Sequence, residues 1–260
     1  MSKIKTLCTL AKSSSNWPRF RRLICEKLGR PKIDWEGSSI LSLKQCKNLE
    51  ASSREVFSGI FPKMLYREIE REYSAEIHYA KEQVAEAKAS GISMGGGGEF
   101  ELIYNLVLAS KSQKIVETGV AYGWSSFGIL AALHSMGTGH LWSTNLPYPG
   151  MDCDRWVGCV VPGDWKPRWS LVSGKDDDLL PIILQEAGQL DCAFYDSAKS
   201  YAARRRSYPM LWNALKVGGL LFSDDICDNM GFFHFAKCVR ENQWLSGMTR
   251  RMGKPNMPGY

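Results

Sequence analysis

From Lys114 onward, short apolar runs rich in β-branched and aromatic residues alternate with longer runs of helix-forming residues. The apolar runs predict strands at 114–118, 141–144, 169–173, 191–195 and 219–223. The intervening runs predict helices at 124–134, 176–187 and 202–215. Strands and helices that alternate at this spacing form a parallel sheet covered on both faces. The sequence therefore predicts an α/β fold whose ligand sites lie at the carboxyl ends of the strands.

The chain before this region divides into two further parts. Residues 63–90 are dense in charged helix formers and predict a solvated helix that stops near Gly91. Four consecutive glycines at 95–98 predict a hinge, and an apolar helix follows at 100–109. We therefore expect three segments, which are a basic arm at 1–62, a charged helix with a glycine hinge at 63–98, and a folded α/β domain at 99–260.

Charge separates the arm from the body. Residues 1–35 hold nine Lys or Arg and two acidic residues, a net +7, whereas the remainder has a net −1. A folded domain that binds nucleic acid needs a basic face, so no nucleic acid is expected as a partner of the body. The arm is interpreted as a solvated, partly helical segment, and it is also a candidate contact for a partner, a membrane surface or nucleic acid. No apolar run reaches the ~18–20 residues of a transmembrane helix.

The chain has eight cysteines, and none of them stands in a CxxC pair. This spacing favours free thiols in a reducing compartment, and hence a cytoplasmic location, over a disulfide scaffold or a structural zinc site.

The first predicted strand runs into an acidic and glycine-rich turn, E-x-G-x-x-x-G, formed by Glu117, Gly119 and Gly123. A dinucleotide site requires the different spacing G-x-G-x-x-G, which disfavours a nicotinamide oxidoreductase. A carboxylate beside a phosphate would be unfavourable, whereas a cationic, amine-bearing ligand would suit Glu117. S-adenosylmethionine (SAM), which carries a sulfonium and an ammonium group, is such a ligand. The cofactor contacts predicted in this turn are Glu117, Gly119, Tyr122, Gly123, Ser125 and Ser126.

Carboxylates end the fourth and fifth predicted strands. Asp196 follows the fourth, and Asp224 and Asp225 follow the fifth. Neighbouring parallel strands bring these groups together, and their mutual repulsion favours a bound cation. Oxygen ligands favour Mg²⁺, Mn²⁺ or Ca²⁺, with Asn229 as an additional oxygen donor. In the alternative interpretation, one of Asp224 and Asp225 caps the next helix and Asp196 touches only the cofactor.

These motifs resemble known enzymes. The turn after the first strand resembles motif I of class I SAM-dependent methyltransferases. Asp196-x-x-Lys199 and Asp224-Asp225 resemble elements of the metal-dependent small-molecule O-methyltransferases, including catechol O-methyltransferase. The phrases GVAYGWSS, DSAKSY and ALKVGGLLFSDDICDN resemble bacterial tailoring methyltransferases. The resemblance extends from Glu117 to about Asn229.

The resemblance implies a Rossmann-like methyltransferase sheet within 99–260. It implies SAM as cofactor, with Asn145 at the place of the ribose-binding acid and Asp196 on the cofactor side. The turn that flanks the adenine would be formed by Gly174, Lys175 and Asp176. It further implies Mg²⁺ on Asp196, Asp224 and Asp225, and Lys199 as general base. The reaction would be O-methylation of a small molecule, such as a natural product, a catechol or a sugar.

Two other functions stay open from the sequence. A metal-independent methyltransferase could act on nitrogen or on a sugar hydroxyl. A non-catalytic scaffold could retain the fold, which Asn145 and the short carboxyl-terminal tail favour.

Three structural expectations remain. We expect a homo-oligomer. We expect a lid or substrate wall at 145–168, with Tyr148, Trp156 and Trp165 as aromatic contacts. We also expect a solvated helix face at 204–206, with one arginine at a dimer or substrate contact.

Overall fold

The computed structural model describes residues 39–47, 51–148 and 153–248. Its centre is a five-stranded parallel sheet with the strand order β3-β2-β1-β4-β5. The strands are β1 Lys114–Thr118, β2 His140–Asn145, β3 Trp169–Ser173, β4 Leu190–Tyr195 and β5 Leu215–Ser223. This arrangement confirms the predicted α/β class with a Rossmann-like sheet.

Nine α-helices are described in these ranges. They are α1 Ser39–Lys47, α2 Ser53–Ile60, α3 Ile69–Glu72, α4 Ser74–Ala89, α5 Phe100–Ser110, α6 Trp124–Met136, α7 Asp176–Ala187, α8 Tyr201–Ala214 and α9 Gly231–Met248. None of the described helices is long and apolar enough to cross a bilayer. The basic arm up to residue 38 lies outside the described residues.

Helices cover both faces of the sheet because successive strand residues point to opposite sides. Ile115 belongs to a core with residues of α5 and α6, including Tyr104 and Phe127. Its neighbour Val116 belongs to a second core with residues of α7 and α8, including Tyr208. This alternation places the sheet between two apolar layers and leaves its carboxyl edge for the loops.

The charged segment differs from the single helix predicted at 63–90. Tyr73, between α3 and α4, has φ −126° and ψ 44°, which is outside the helical region. Its hydroxyl hydrogen-bonds the Oγ of Ser135 at 2.6 Å and donates to the carbonyl of Ala131 at 3.3 Å, both in α6. A contact with a distant helix therefore overrides the local helix propensity at this residue.

The edge strand β5 begins earlier than predicted, at Leu215 rather than 219. Gly218 has φ +81°, and the pairing of β4 with β5 shifts register between Leu190 and Cys192. Within the described residues, β4 is the one strand that pairs with β5. Residues 249–260, the last part of the carboxyl-terminal tail, lie outside the described residues.

Candidate functional site

The turn between β1 and α6 is shaped by close backbone contacts. Gly119 has φ +83°, and a Cβ placed there would lie 2.3 Å from the carbonyl oxygen of Asp196. Gly123 has φ +94°, and its Cβ would lie 2.9 Å from the Cα of Gly158. Both glycines are therefore required by the protein backbone itself, at positions that also adopt the left-handed conformation favoured by glycine.

Glu117 lies beneath this turn with no exposed surface. Its carboxylate accepts hydrogen bonds from the hydroxyls of Ser125 at 2.6 Å, Ser126 at 2.6 Å and Ser143 at 2.7 Å. Burial raises the pKa of Glu117 to about 7, against the opposing effect of the three hydroxyl donors. Three of the predicted cofactor residues thus form one closed group, which we call the serine cage (Glu117, Ser125, Ser126 and Ser143). Their contact with a cofactor stays a prediction.

Two more predicted cofactor residues have partners inside the protein. Tyr122 is 1% exposed, and its hydroxyl donates to the carbonyl of Ile92 at 2.9 Å. The Oδ1 of Asn145 accepts from the backbone N–H groups of Val120 at 3.1 Å and Ala121 at 3.2 Å. Asn145 therefore braces the turn after β1. Its amide nitrogen makes a 3.3 Å contact with the carbonyl of Leu146.

The segment 153–168 packs against the same turn. The N–H of Gly158 donates to the carbonyl of Ala121 at 2.9 Å, and that of Val160 donates to the carbonyl of Tyr122 at 3.2 Å. Trp156 and Trp165, predicted as aromatic contacts of a lid or substrate wall, are 4% and 3% exposed and belong to the core. The prediction was wrong for these two side chains. Residues 149–152, at the predicted lid, lie outside the described residues.

The turn after β3 connects three strands. Lys175 is exposed at the start of α7, and Gly174 donates its N–H to the carbonyl of Asn145 at 3.0 Å. The carboxylate of Asp176 accepts from the hydroxyl of Thr144 at 2.8 Å and from that of Ser197. Burial raises the pKa of Asp176, while these hydroxyl donors oppose the change.

The carboxylates after β4 and β5 meet as the sequence predicts. Oxygen atoms of Asp196, Asp224 and Asp225 all lie within 4.8 Å of one another, a spacing that could hold a metal ion. Asp196 is partly buried, and Asp224 and Asp225 are exposed. We call these three residues the aspartate cluster.

Lys199 enters the aspartate cluster directly. Its Nζ contacts the Oδ1 of Asp196 and lies 3.1 Å from the Oδ2 of Asp225. Burial lowers the pKa of Lys199, but the two aspartates outweigh burial and raise it above its ordinary value. Burial raises the pKa of Asp196 to about 6, which the Lys199 charge opposes. The role of Lys199 as general base stays a prediction.

The burial of Arg204 differs from the prediction. The segment 204–206 was expected to be a solvated face, yet Arg204 has no exposed surface. Its Nη2 donates to the carbonyls of Asp224 at 3.3 Å and Asp225 at 2.7 Å. Arg204 therefore supports the turn on which Asp225 adopts φ +50°. Its helical spacing from the buried Tyr208 and Leu211 was the available signal.

The charges of the side chains at the carboxyl edge of the sheet indicate which ligands fit there. Glu117 is sealed beneath the turn and is not available to a ligand. Carboxylates still outnumber cations at the edge, and the residues are Asp176, Asp196, Asp224, Asp225, Lys175 and Lys199. An edge of this composition suits a sulfonium, an ammonium or a divalent cation, and it disfavours phosphates. Both SAM and a divalent ion therefore fit the residues present.

Comparisons with known proteins give a matching domain family and a similar fold. Residues 116–226 match the family model described as a methyltransferase domain. Among curated proteins no sequence match is found. The fold is similar to that of an O-methyltransferase from Bacillus cereus solved with SAH, at 14% identity and a TM-score of 0.51, over 72% of this chain and 86% of that one. The O-methyltransferase TomG from Streptomyces achromogenes, solved with SAM, has 14% identity and a TM-score of 0.48, over 74% and 88%.

Proposed function

We propose, from the premise that this chain carries a SAM-dependent methyltransferase domain at residues 116–226, that it methylates a hydroxyl group of a small molecule. The observation that carries the proposal is the aspartate cluster with Lys199 at the carboxyl edge of the sheet. Lys199 is placed to take the proton of the substrate hydroxyl, and the neighbouring aspartates are placed to orient the oxygen of that hydroxyl. Positioning of the two reactants is the main contribution such a site makes to methyl transfer.

The turn after β1 is proposed to receive the cofactor. When bound, SAM supplies an electrophilic methyl group. Asp196 lies next to this turn, since its N–H donates to the carbonyl of Thr118 at 2.8 Å, and its carboxylate can pair with the cofactor's ammonium. Asn145 and the serine cage are proposed to support this contact indirectly. They fix the backbone of the turn and the start of α6. The half-buried Gly174 and the exposed Lys175 are proposed to flank the adenine.

The aspartate cluster is proposed to hold Mg²⁺ or a similar ion. A divalent cation at this place would supply the positive charge that lowers the pKa of an acceptor hydroxyl. The oxygen spacing of the cluster supports this role. Asn229, expected as an additional oxygen ligand, donates its amide to the carbonyl of Lys199 at 2.8 Å and accepts at Oδ1 from the N–H of Gly231 at 3.0 Å.

Lys199 is proposed to accept the proton of the acceptor hydroxyl on Nζ. In the described structure Nζ is paired with Asp196 and Asp225, and these salt bridges favour the charged ammonium. The base role therefore requires the two contacts to open and Nζ to lose its proton before the acceptor arrives. Burial of Lys199 assists that loss, because burial disfavours the charged form.

A second function follows from the same contact. The Lys199 ammonium already supplies a positive charge among the three carboxylates, so their repulsion does not require a metal. In this metal-independent function, the ammonium would orient the acceptor of an N- or sugar O-methyl transfer by a charge-assisted hydrogen bond.

The first experiment is a calorimetric titration of the purified chain with S-adenosylhomocysteine (SAH), with and without Mg²⁺. We expect binding in the micromolar range, about −8 kcal/mol. Asn145→Ala should weaken this binding, because Val120 and Ala121 lose their acceptor, whereas Asn213→Ala on α8 serves as a control. Absence of SAH binding under both conditions would contradict the methyltransferase proposal and favour a non-catalytic scaffold.

A second experiment separates the two functions. The chain is titrated with Mn²⁺, followed by electron paramagnetic resonance, and Asp224→Asn is titrated in parallel. Metal dependence predicts saturable binding that Asp224→Asn weakens at least about tenfold, together with loss of methyl transfer in chelator. Methyl transfer that persists in chelator and in Asp224→Asn would support the metal-independent function.

A further inference from the structure

Helix α1 lies against the short turn Ile226–Asp228, which follows Asp225. The Oγ of Ser42 donates a hydrogen bond to the carbonyl of Cys227. Cys46 lies four residues further along the helix, and burial together with the neighbouring Cys227 thiol raises the pKa of Cys46. Residues i and i+4 of a helix share one face, so Ser42 and Cys46 lie on the same side of α1.

The orientation of α1 is unusual for its composition. Ser42 is fully buried and Cys46 is partly buried, whereas Leu41 and Leu43 are 54% and 49% exposed. Among the residues of α1 whose burial is described, the buried side therefore carries Ser42 and Cys46, and the two leucines lie on the exposed side. The hydrogen bond from Ser42 to Cys227 stabilises this orientation.

We propose that Cys46 and Cys227 form a thiol–disulfide site, at which a small disulfide such as oxidised glutathione closes a reversible cross-link between α1 and the turn after Asp225. Both cysteines are partly buried, and the hydrogen bond from Ser42 places the same face of α1 against Cys227, about 180 residues away in sequence. Cys153 and Cys192, by contrast, are buried in the core, where a small disulfide cannot reach them.

The exchange is balanced without any further reactant. The thiolate of one cysteine attacks a sulfur of oxidised glutathione, forms a mixed disulfide and releases one glutathione. The second cysteine then attacks the protein sulfur of the mixed disulfide, the Cys46–Cys227 bond forms and the second glutathione leaves. Two protein thiols are oxidised, the small disulfide is reduced to two thiols, and the two protons pass to the released thiolates.

The cross-link would tie helix α1 to the turn that follows Asp225. It would also close a long loop of the chain, and loop closure restricts the unfolded state more as the loop lengthens. Because Arg204 already holds the carbonyl of Asp225, the oxidised chain would fix this turn from two sides. The inference does not depend on the proposed function, since it concerns a covalent bond that can be read without any assay of methyl transfer.

The test uses the full chain in native buffer with oxidised glutathione, followed by alkylation of free thiols and a non-reducing peptide map. We expect the Cys46 peptide to be joined to the Cys227 peptide, at a mass two hydrogens below the sum of the reduced peptides. The thermal unfolding midpoint should rise by about 5–10 °C, and dithiothreitol should reverse both changes.

Two variants sharpen the result. Cys238→Ser, at another partly buried cysteine, should retain the cross-link, whereas Cys46→Ser should yield only glutathione bound to Cys227. Oxidation in denaturant should scatter the cross-links over the eight cysteines. A native map in which Cys46 pairs with another cysteine, or in which wild-type Cys46 and Cys227 carry only glutathione, would overturn the proposal.

Discussion

Two acidic groups at the same edge of the sheet have opposite environments. Glu117 is sealed in the serine cage, where every partner is a neutral hydroxyl of the protein. The aspartate cluster is open on one side, and its partner is the charged Lys199. A carboxylate enclosed by hydroxyls maintains the shape of the cofactor turn. A carboxylate paired with a movable cation can exchange that cation for a ligand, so the chemistry is expected at the cluster.

The largest expected effect is therefore on Lys199. Lys199→Met should lower the rate of methyl transfer by about 10²–10⁴-fold, because general base catalysis contributes an effect of this size. The measurement is the rate of SAH release with SAM and a panel of catechol and sugar acceptors.

The matched control is Lys216→Met. Lys216 also pairs with an aspartate, since its Nζ lies 2.6 Å from the Oδ1 of Asp191, but that pair stands at the amino end of the strands. This variant should retain the wild-type rate. If Lys199→Met keeps more than a tenth of the activity, Lys199 is not the base.

Arg204 tests whether the open cluster needs a rigid support. Arg204→Met removes the donor that holds the carbonyls of Asp224 and Asp225, so the turn loses its fixed position. We expect kcat to fall about 10–100-fold, the range that small misplacements of reacting groups cause. Affinity for SAH, measured by calorimetry, should stay within about threefold. An equal loss of SAH affinity would mean that Arg204 supports the whole edge and not this turn.

Glu117 tests the sealed side of the comparison. Burial raises its pKa from 4.5 to about 7, so the folded chain holds this proton more tightly than the unfolded chain. The stabilisation is complete below about pH 4.5 and is lost as the pH rises through about 7, an effect on the order of 2–3 kcal/mol. Glu117→Gln does not titrate and should lack this loss. Urea unfolding of both proteins at pH 5 and pH 8 measures it, and equal pH dependence in both would refute the assignment.

The sequence predicted the framework because its signals are local. The strands Lys114–Thr118 and Trp169–Ser173 and the helix Asp176–Ala187 have the predicted bounds. Apolar runs between turn-forming residues mark such elements wherever they occur. The parallel order then placed Asp196, Asp224 and Asp225 at one edge, which is a consequence of topology alone.

The partners of individual side chains could not be predicted in the same way. Ser143 reaches Glu117 only because β2 lies beside β1 in a particular register. The ribose contact of Asn145 stays a prediction, whereas the support that its Oδ1 gives to the backbone of the turn was not predicted. Such contacts depend on tertiary packing between segments about 25 residues apart, and sequence spacing contains no information on them.

The smallest expected effect belongs to Arg206, two residues from Arg204 on the same helix. Arg206 forms a bidentate salt bridge with Asp177 at 2.9 Å, and both side chains are about half exposed. Exposed pairs contribute little because solvent screens the charges, so Arg206→Ala should lower the free energy of unfolding by no more than about 0.5–1 kcal/mol. Its kcat should equal that of the wild type. Urea unfolding in low and in high salt checks this, since the wild-type advantage should shrink as salt rises. If kcat of Arg206→Ala fell as far as kcat of Arg204→Met, the contrast between the buried Arg204 that supports the aspartate cluster and the exposed Arg206 would be wrong.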